Sequence, residues 1–166
     1  MDDYTSGYWF EDEVYYTLKT LPFGTVITPK PVYSKELKKP TQIDLILITD
    51  KVIYSIEVKS AWYLAGSIND KRWWSSTKGS KNVKIINPYL QNMMHILAIK
   101  RLLWRNGFGY IPFKNIVVVT DKAVIDSDCK CLCRASELRR KIINDYKKSY
   151  NEDVHIDIEK VYNILK

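Results

Sequence analysis

Hydrophobic positions along the chain follow two spacings, one typical of helices and one typical of strands. Near the start, apolar residues recur at intervals of four and three: Phe10, Val14, Leu18 and Leu21. This stripe predicts a helix over residues 7–21 that buries one face, with Ser6 as its N-cap. A cluster of Pro, Phe and Gly over residues 22–24 ends the helix.

A hairpin is the clearest local signal in the sequence. Two apolar segments, over residues 42–49 and 52–60, are separated only by Asp50 and Lys51. With a two-residue loop, the numbers of paired residues sum to a constant, and Asp44 then lies directly opposite Glu57. One face of the hairpin carries apolar side chains for a core. The other face carries polar side chains at the end far from the loop.

The rest of the chain predicts alternating helices, strands and loops. Asn87 and Pro88 suit the N-cap and the first turn of a helix that runs to about Arg105. The other elements predicted are a buried strand over 115–120 and helices over 136–150 and from about 157. Residues 30–40 are predicted as a loop, and residues 62–84 as a long loop with room for one short strand. This order predicts one α/β domain over residues 1–166, with a central mixed sheet flanked by helices in two or three layers.

The hairpin brings three ionisable side chains together. Asp44 and Glu57 are cross-strand partners, and Lys59 points to the same face because it lies two residues beyond Glu57. Two carboxylates this close repel each other, and a divalent cation such as Mg²⁺ or Mn²⁺ would offset their charge. The alternative is an ordinary surface ion pair, worth about 0–1 kcal/mol.

The chain is basic, with 26 Lys and Arg against 19 Asp and Glu and a formal net charge of +7. This excess favours polyanionic partners without specifying a sequence. Basic residues alternate with aromatic ones over residues 62–84, and four are candidates for binding nucleic acid: Lys71, Arg72, Lys78 and Lys81. The tryptophans of this segment, Trp62, Trp73 and Trp74, are interpreted as packing residues.

Three cysteines are spaced by single residues: Cys129, Cys131 and Cys133. An odd count at this spacing is a poor disulfide framework and fits a reducing compartment. On a strand, the three thiols would share one face, directed toward the core. The chain begins with acidic residues and has no apolar stretch long enough to span a bilayer. We therefore expect a cytoplasmic protein with no membrane partner.

Several short motifs follow one another in a characteristic order. They are Gly7-Tyr8-Trp9-Phe10-Glu11, Thr41-Gln42-Ile43-Asp44, Ile56-Glu57-Val58-Lys59, residues 66–73 and Asn87-Pro88-Tyr89-Leu90-Gln91-Asn92, with His95 after them. Their order and spacing resemble the nuclease-related domain family, NERD, within the PD-(D/E)xK nuclease superfamily. The resemblance covers residues 7–120. Residues 121–166 match no motif and are expected to complete the domain with a strand and helices.

The resemblance implies a restriction-endonuclease-like core with a Mg²⁺-dependent site on the hairpin. By position, Asp44 and Glu57 resemble the metal-binding acids and Lys59 the catalytic lysine. Glu11 matches an acid of the first helix that can complete the metal site. Gln91 matches a glutamine that contacts the substrate or the active site. His95 is interpreted as a histidine hydrogen-bonded within the fold or as part of a polar helix flank.

The sequence thus favours a metal-dependent deoxyribonuclease, most simply an endonuclease. RNA stays open as a substrate, as does a homodimer, which would let a single-site nuclease cut both strands. One alternative is a binding module for nucleic acid that keeps the fold without the activity. Another is a structural or partner-binding domain with incidental charge. The Asp-Glu-Lys set argues against the binding module, which has no need to keep all three residues.

Overall fold

The computed structural model describes residues 3–78, 80–149 and 153–166, with the side chains of residues 3–7 and 78 outside the description. The helices in these ranges are α1 (Asp3–Lys19), α2 (Pro88–Arg105), α3 (Ala135–Ser149) and α4 (Ile158–Leu165). The strands are β1 (Thr25–Ile27), β2 (Val32–Ser34), β3 (Lys39–Thr41), β4 (Leu45–Ile48), β5 (Ile53–Lys59), β6 (Tyr63–Gly66), β7 (Trp73–Lys78), β8 (Lys81–Ile86), β9 (Phe113–Val119), β10 (Val124–Ser127) and β11 (Leu132–Arg134).

The central sheet is mixed and has five strands in the order β1-β4-β5-β9-β11. The β1, β4 and β5 strands pair antiparallel, whereas β5, β9 and β11 run parallel. On one face, apolar residues of β4, β5 and β9 pack with α1 and α3. On the other, Ile46, Ile48 and Ile53 pack with α2 and α4. The domain therefore has three layers, a mixed α/β arrangement consistent with a nuclease-like core.

The register of the β4–β5 hairpin is the one expected for a two-residue loop. Ile48 pairs with Ile53, and Leu45 pairs with Ile56, so the numbers of paired residues sum to the same value. The Thr49 backbone N–H donates to the Val52 carbonyl at 3.2 Å, which closes the loop. The register is fixed because a slip of one residue would exchange the faces packed under α1 and α2.

Helix α2 begins and ends as predicted. The Asn87 side chain caps it by accepting hydrogen bonds from the backbone N–H groups of Tyr89 and Leu90, and Pro88 occupies its first position. The helix closes at Asn106, followed by Gly107 with a φ of 85°. Helix α1, in contrast, begins at Asp3, so Ser6 lies inside it rather than at its N-cap.

The loops predicted over residues 30–40 and 62–84 contain strands. In the first, β2 and β3 form a two-stranded sheet. In the second, β6, β7 and β8 join β10 in a four-stranded sheet with the order β10-β6-β7-β8. Alternation of buried and exposed residues in β7, with Trp74 buried and Trp73 half-exposed, is the strand signal that the Ser and Lys content obscured.

The prediction for the cysteines was wrong. Cys129 and Cys131 form a disulfide, and only Cys133, a buried free thiol, lies in a strand. A turn in which the Leu132 N–H donates to the Cys129 carbonyl brings the first two Cα atoms to 5.3 Å, within the usual disulfide range. The argument from cysteine spacing to a reducing compartment therefore loses its basis.

The segment after residue 120 packs onto the same cores. Strand β11 extends the central sheet beside β9, Leu138 and Ile142 of α3 are buried on one face, and Val161 and Leu165 of α4 on the other. Within the described ranges, no helix is both long and apolar enough to cross a membrane.

Candidate active site

Asp44 and Glu57 meet at the end of the hairpin that lies far from its loop. Asp44 comes immediately before β4, and its Oδ2 accepts a hydrogen bond of 2.8 Å from the Val58 backbone N–H. Glu57 lies on β5, on the face covered by α2, and is only 1% exposed. The hairpin therefore brings the two acids together as predicted, and α2 covers the polar face on which Glu57 lies.

Lys59 connects Glu57 to helix α2. Its Nζ donates to Glu57 Oε1 at 2.5 Å and to Gln91 Oε1 at 3.3 Å. Gln91 lies in the first turn of α2, where its backbone N–H donates to the Asn87 carbonyl at 2.9 Å. The predicted lysine and glutamine thus form one contact chain with the buried acid.

His95 completes the site from the next turn of α2. It is buried, and its Nδ1 lies 3.5 Å from Glu57 Oε2. Neither of these two atoms has a hydrogen-bond partner among the described residues. From the sequence, His95 was interpreted as a histidine hydrogen-bonded within the fold or as part of a polar helix flank. The signal that could have assigned it to the site is its four-residue spacing from Gln91 on one helix face.

The electrostatics of Glu57 set it apart from an ordinary carboxylate. Burial raises the pKa of Glu57 to about 7, the charge of Lys59 opposes this, and the charges of Asp44 and Glu11 raise the pKa further. Burial likewise lowers the pKa of His95 to about 4, and the charge of Lys59 adds to the effect. At neutral pH the imidazole is therefore uncharged and does not neutralise Glu57.

The other two acids are also affected by their surroundings. Burial raises the pKa of Asp44, against the hydrogen bond from Val58 and the charge of Lys59. Burial also raises the pKa of Glu11 on α1, and the negative charges of Asp44 and Asp12 raise it further. Glu11 thus lies within electrostatic range of the hairpin acids. A positive charge added here would relieve all three carboxylates.

The arrangement of the donor side chains limits how a metal ion could be held. In the part of the chain that the structure describes, no three His, Cys, Asp or Glu residues are grouped closely enough to hold one ion. Glu11, Asp44 and Glu57 therefore do not form a three-ligand group. Two carboxylates remain, Asp44 and Glu57, and Mg²⁺ is often held by one or two carboxylates with water completing the shell.

The four basic residues predicted to bind nucleic acid fall into two groups. Lys71 and Arg72 are exposed at the start of β7, and the Arg72 carbonyl accepts a 2.8 Å hydrogen bond from the Asn87 N–H at the start of α2. Lys81 opens β8 at the far end of the β7–β8 hairpin, about 20 Å from Arg72 for a strand of this length. The Lys78 side chain lies outside the described residues.

The tryptophans of the same segment have different environments. Trp74 is buried, and its Nε1–H donates to the Ser67 carbonyl at 2.9 Å, as expected of a packing residue. Trp62 is 70% exposed and Trp73 is 46% exposed. The interpretation of these two as packing residues was therefore wrong.

Comparison with known proteins gives one clear match. The family model described as nuclease-related domain, NERD, matches residues 6–120, which is more than half of the chain and includes the hairpin, Lys59 and the first turn of α2. No curated protein and no solved structure matches the chain. The match supports a nuclease-related function. On this evidence, the chain belongs to the nuclease-related domain family.

Proposed function

We propose that the protein is a metal-dependent nuclease that hydrolyses phosphodiester bonds in DNA at the Asp44–Glu57–Lys59 cluster. One observation carries the proposal: Glu57 is buried, yet its Oε2 has no hydrogen-bond partner among the described residues. A buried carboxylate oxygen without a partner costs free energy, about 1–3 kcal/mol or more for a charged group. Such an atom is expected where a ligand completes its contacts.

The chemistry of the donors fits Mg²⁺ or Mn²⁺. Asp44 and Glu57 would hold the ion through carboxylate oxygens, the ligands that these hard cations prefer, and Glu11 would add negative charge nearby. When bound, the ion would lower the pKa of a water molecule and stabilise negative charge on a phosphoryl oxygen.

The side chains around the acids have distinct roles. Lys59, which is partly exposed, would orient the attacking water and neutralise charge that develops on the phosphate. Gln91 would keep the Lys59 ammonium in place through its 3.3 Å contact and would contact the substrate beside it. The Val58 N–H fixes one oxygen of Asp44, which leaves the other oxygen to bind.

A basic protein of +7 suits a polyanionic substrate. Lys71 and Arg72 lie next to the start of α2 and would bind phosphates close to Gln91. In the hydrolysis itself, the oxygen of water bonds to phosphorus while one P–O ester bond breaks. The proton released from the water balances the one taken up by the leaving oxygen.

A cleavage assay tests the proposal. Purified protein is incubated with plasmid, linear duplex and single-stranded DNA in Mg²⁺, Mn²⁺ or EDTA, with an RNA strand of the same sequence alongside. Lys59→Ala and Asp44→Ala are compared with two exposed counterparts, Lys148→Ala on α3 and Asp126→Ala on β10. Circular dichroism confirms that each variant is folded.

The expected result is cleavage by the wild type and both exposed-site variants, none in EDTA, and a rate at least about 100-fold lower in the two cluster variants. Cleavage in EDTA, or cleavage by both cluster variants at the wild-type rate, would overturn the assigned site. Salt-sensitive binding of DNA without cleavage under any metal would instead identify a binding module that keeps the nuclease fold.

A further inference from the structure

Exposed aromatic side chains flank residues of the site on three separate segments of the chain. They are Tyr8 on α1, Trp62 after β5 and Trp73 at the start of β7, which we call the rim aromatics. Tyr8 and Trp62 are each 70% exposed and Trp73 is 46% exposed. An aromatic side chain that stays in water does not contribute the free energy that its burial would give to folding. The same side chain loses little entropy when it binds a ligand, so an exposed aromatic residue is well suited to binding.

Each rim aromatic is near a residue of the site. Tyr8 precedes Glu11 by three residues, so the two share a face of α1. Trp62 follows Lys59 by three residues, and its backbone carbonyl accepts a 2.8 Å hydrogen bond from the Val124 N–H. That bond fixes the position of the chain from which the indole projects.

Trp73 is connected to the site through the start of α2. It follows Arg72, whose carbonyl accepts the Asn87 N–H at 2.8 Å, and Asn87 in turn accepts the Gln91 N–H through its own carbonyl. Asn87 Nδ2 also donates to the Asp70 carbonyl at 2.9 Å, which fastens this turn to the helix. The base of the β7–β8 hairpin is therefore held beside Gln91.

Cationic groups accompany the aromatics. The Arg72 guanidinium lies 5.0 Å over the Trp73 ring. On the outward face of the same hairpin, Lys84 pairs with Ser75, two positions further along the strands than the Trp73–Ile86 pair, and both Lys84 and Ser75 are exposed. A surface that carries both aromatic faces and cations can bind the bases and the phosphates of the same strand.

Single-stranded and duplex DNA differ in how much binding free energy they gain from an aromatic surface. An unpaired base stacks on an aromatic side chain with about 1–3 kcal/mol, whatever its identity. In an intact duplex the faces of the bases are already stacked on each other, so the aromatics gain nothing. Duplex binding would depend on basic residues alone.

We propose that the rim aromatics form a stacking surface for single-stranded DNA, which makes an unpaired strand the preferred substrate of the site. The proposal rests on the proposed nuclease function for its catalytic consequence. Binding to the rim can still be measured without cleavage, because EDTA removes the metal and leaves the aromatic surface in place.

The test is fluorescence anisotropy in EDTA with a labelled strand of about 20 nucleotides, longer than the site sizes of single-strand binding surfaces. The same sequence is also presented as a duplex. Trp62→Ala and Trp73→Ala are compared with Trp104→Ala, a matched control because Trp104 is 74% exposed on the last turns of α2, about 20 Å along the helix from Gln91. Trp62→Phe and Trp73→Phe keep a stacking ring and serve as conservative variants.

The wild type should bind the single strand about 10-fold more tightly than the duplex, and each rim Trp→Ala change should weaken single-strand binding by about 5- to 100-fold. Duplex binding and Trp104→Ala should change little, and the Phe variants should recover most of the loss. Equal or tighter binding of duplex, or an equal loss in Trp104→Ala, would overturn the proposal. If the rim behaves as expected but the wild type does not cleave in Mg²⁺ or Mn²⁺, the nuclease proposal fails on its own.

Discussion

Two buried polar clusters lie side by side on β5 and α2, and they differ in how their hydrogen bonds are satisfied. In the first, Ser55 Oγ donates to Asn92 Oδ1 at 2.6 Å. Asn92 Nδ2 donates to the Ser55 carbonyl and to Asn115 Oδ1, both at 2.8 Å. In the second, Glu57 and His95 are buried to the same degree, but each has a polar atom without a partner among the described residues.

The difference separates a structural cluster from a functional one. The Ser55–Asn92–Asn115 cluster is neutral and fully hydrogen-bonded, so it ties α2 to the middle of the sheet and fixes the position of the helix. The Glu57–His95 pair lies two residues further along β5 and about one turn away on α2. The two polar atoms without partners lower the stability of the ligand-free protein and remain available to bind a ligand.

The largest expected effect comes from Lys59→Ala. Loss of the ammonium removes the group that offsets negative charge at the phosphate, and we expect cleavage to fall by about 10²–10³-fold. Removing this cation also takes away an interaction that lowers the pKa of Glu57, so the carboxyl becomes protonated more readily. Single-turnover rates for the variant and for Lys148→Ala measure the effect. A rate within about threefold of the wild type would exclude Lys59 from the reaction.

Asn92→Ala, in the Ser55–Asn92–Asn115 cluster, is expected to lower the stability of the protein. The change leaves Ser55 Oγ, Asn115 Oδ1 and two backbone carbonyls without the Asn92 amide. We expect the free energy of unfolding to fall by about 3 kcal/mol, because buried polar groups lose their partners. Urea denaturation in EDTA measures it. An unchanged midpoint would show that this cluster does not stabilise the fold.

A smaller loss of stability is expected when the pH is lowered, because His95 then becomes protonated. The pKa of His95 is about 4 in the folded protein, below its unfolded value of 6.5. The contribution of the neutral imidazole to the free energy of unfolding is therefore fully present above pH 6.5 and is lost as the pH falls toward 4. Relative to His95→Gln, which cannot be protonated, the wild type should lose about 1.4 kcal/mol for each pH unit in this window. Urea midpoints for both proteins from pH 8 to pH 5, in EDTA, give the difference. Parallel curves would mean that His95 titrates normally in the folded protein.

The sequence predicted the hairpin register and the ends of α2 because both depend on local signals. A two-residue loop fixes the pairing around Asp50, and Asn87 with Pro88 defines the start of the helix. The hairpin register alone predicted that Asp44 lies opposite Glu57. Glu11 and Gln91 required the family resemblance, because residues on different helices share no local pattern.

The sequence failed where long-range packing determines the structure. Residues 73–86 form two strands because Trp74 and Leu64 bury side chains in a separate core with β10, a partner about 50 residues away. The burial of Glu57 and the contact of His95 likewise depend on α2 crossing the end of β5. No spacing along the chain shows how a helix covers a sheet.

The most direct test of the central claim compares Glu57→Gln with Ser55→Ala in the same two assays. A glutamine keeps the shape of Glu57, removes the charge and can donate to His95 Nδ1. Glu57→Gln should therefore raise the free energy of unfolding in EDTA by about 1 kcal/mol and lower Mg²⁺-dependent cleavage by at least about 100-fold. Ser55→Ala should lower stability by about 1–3 kcal/mol and leave cleavage by the folded protein nearly unchanged. If Glu57→Gln cleaves DNA like the wild type, or if stability and cleavage fall together in both variants, the Glu57–His95 pair is not part of the active site.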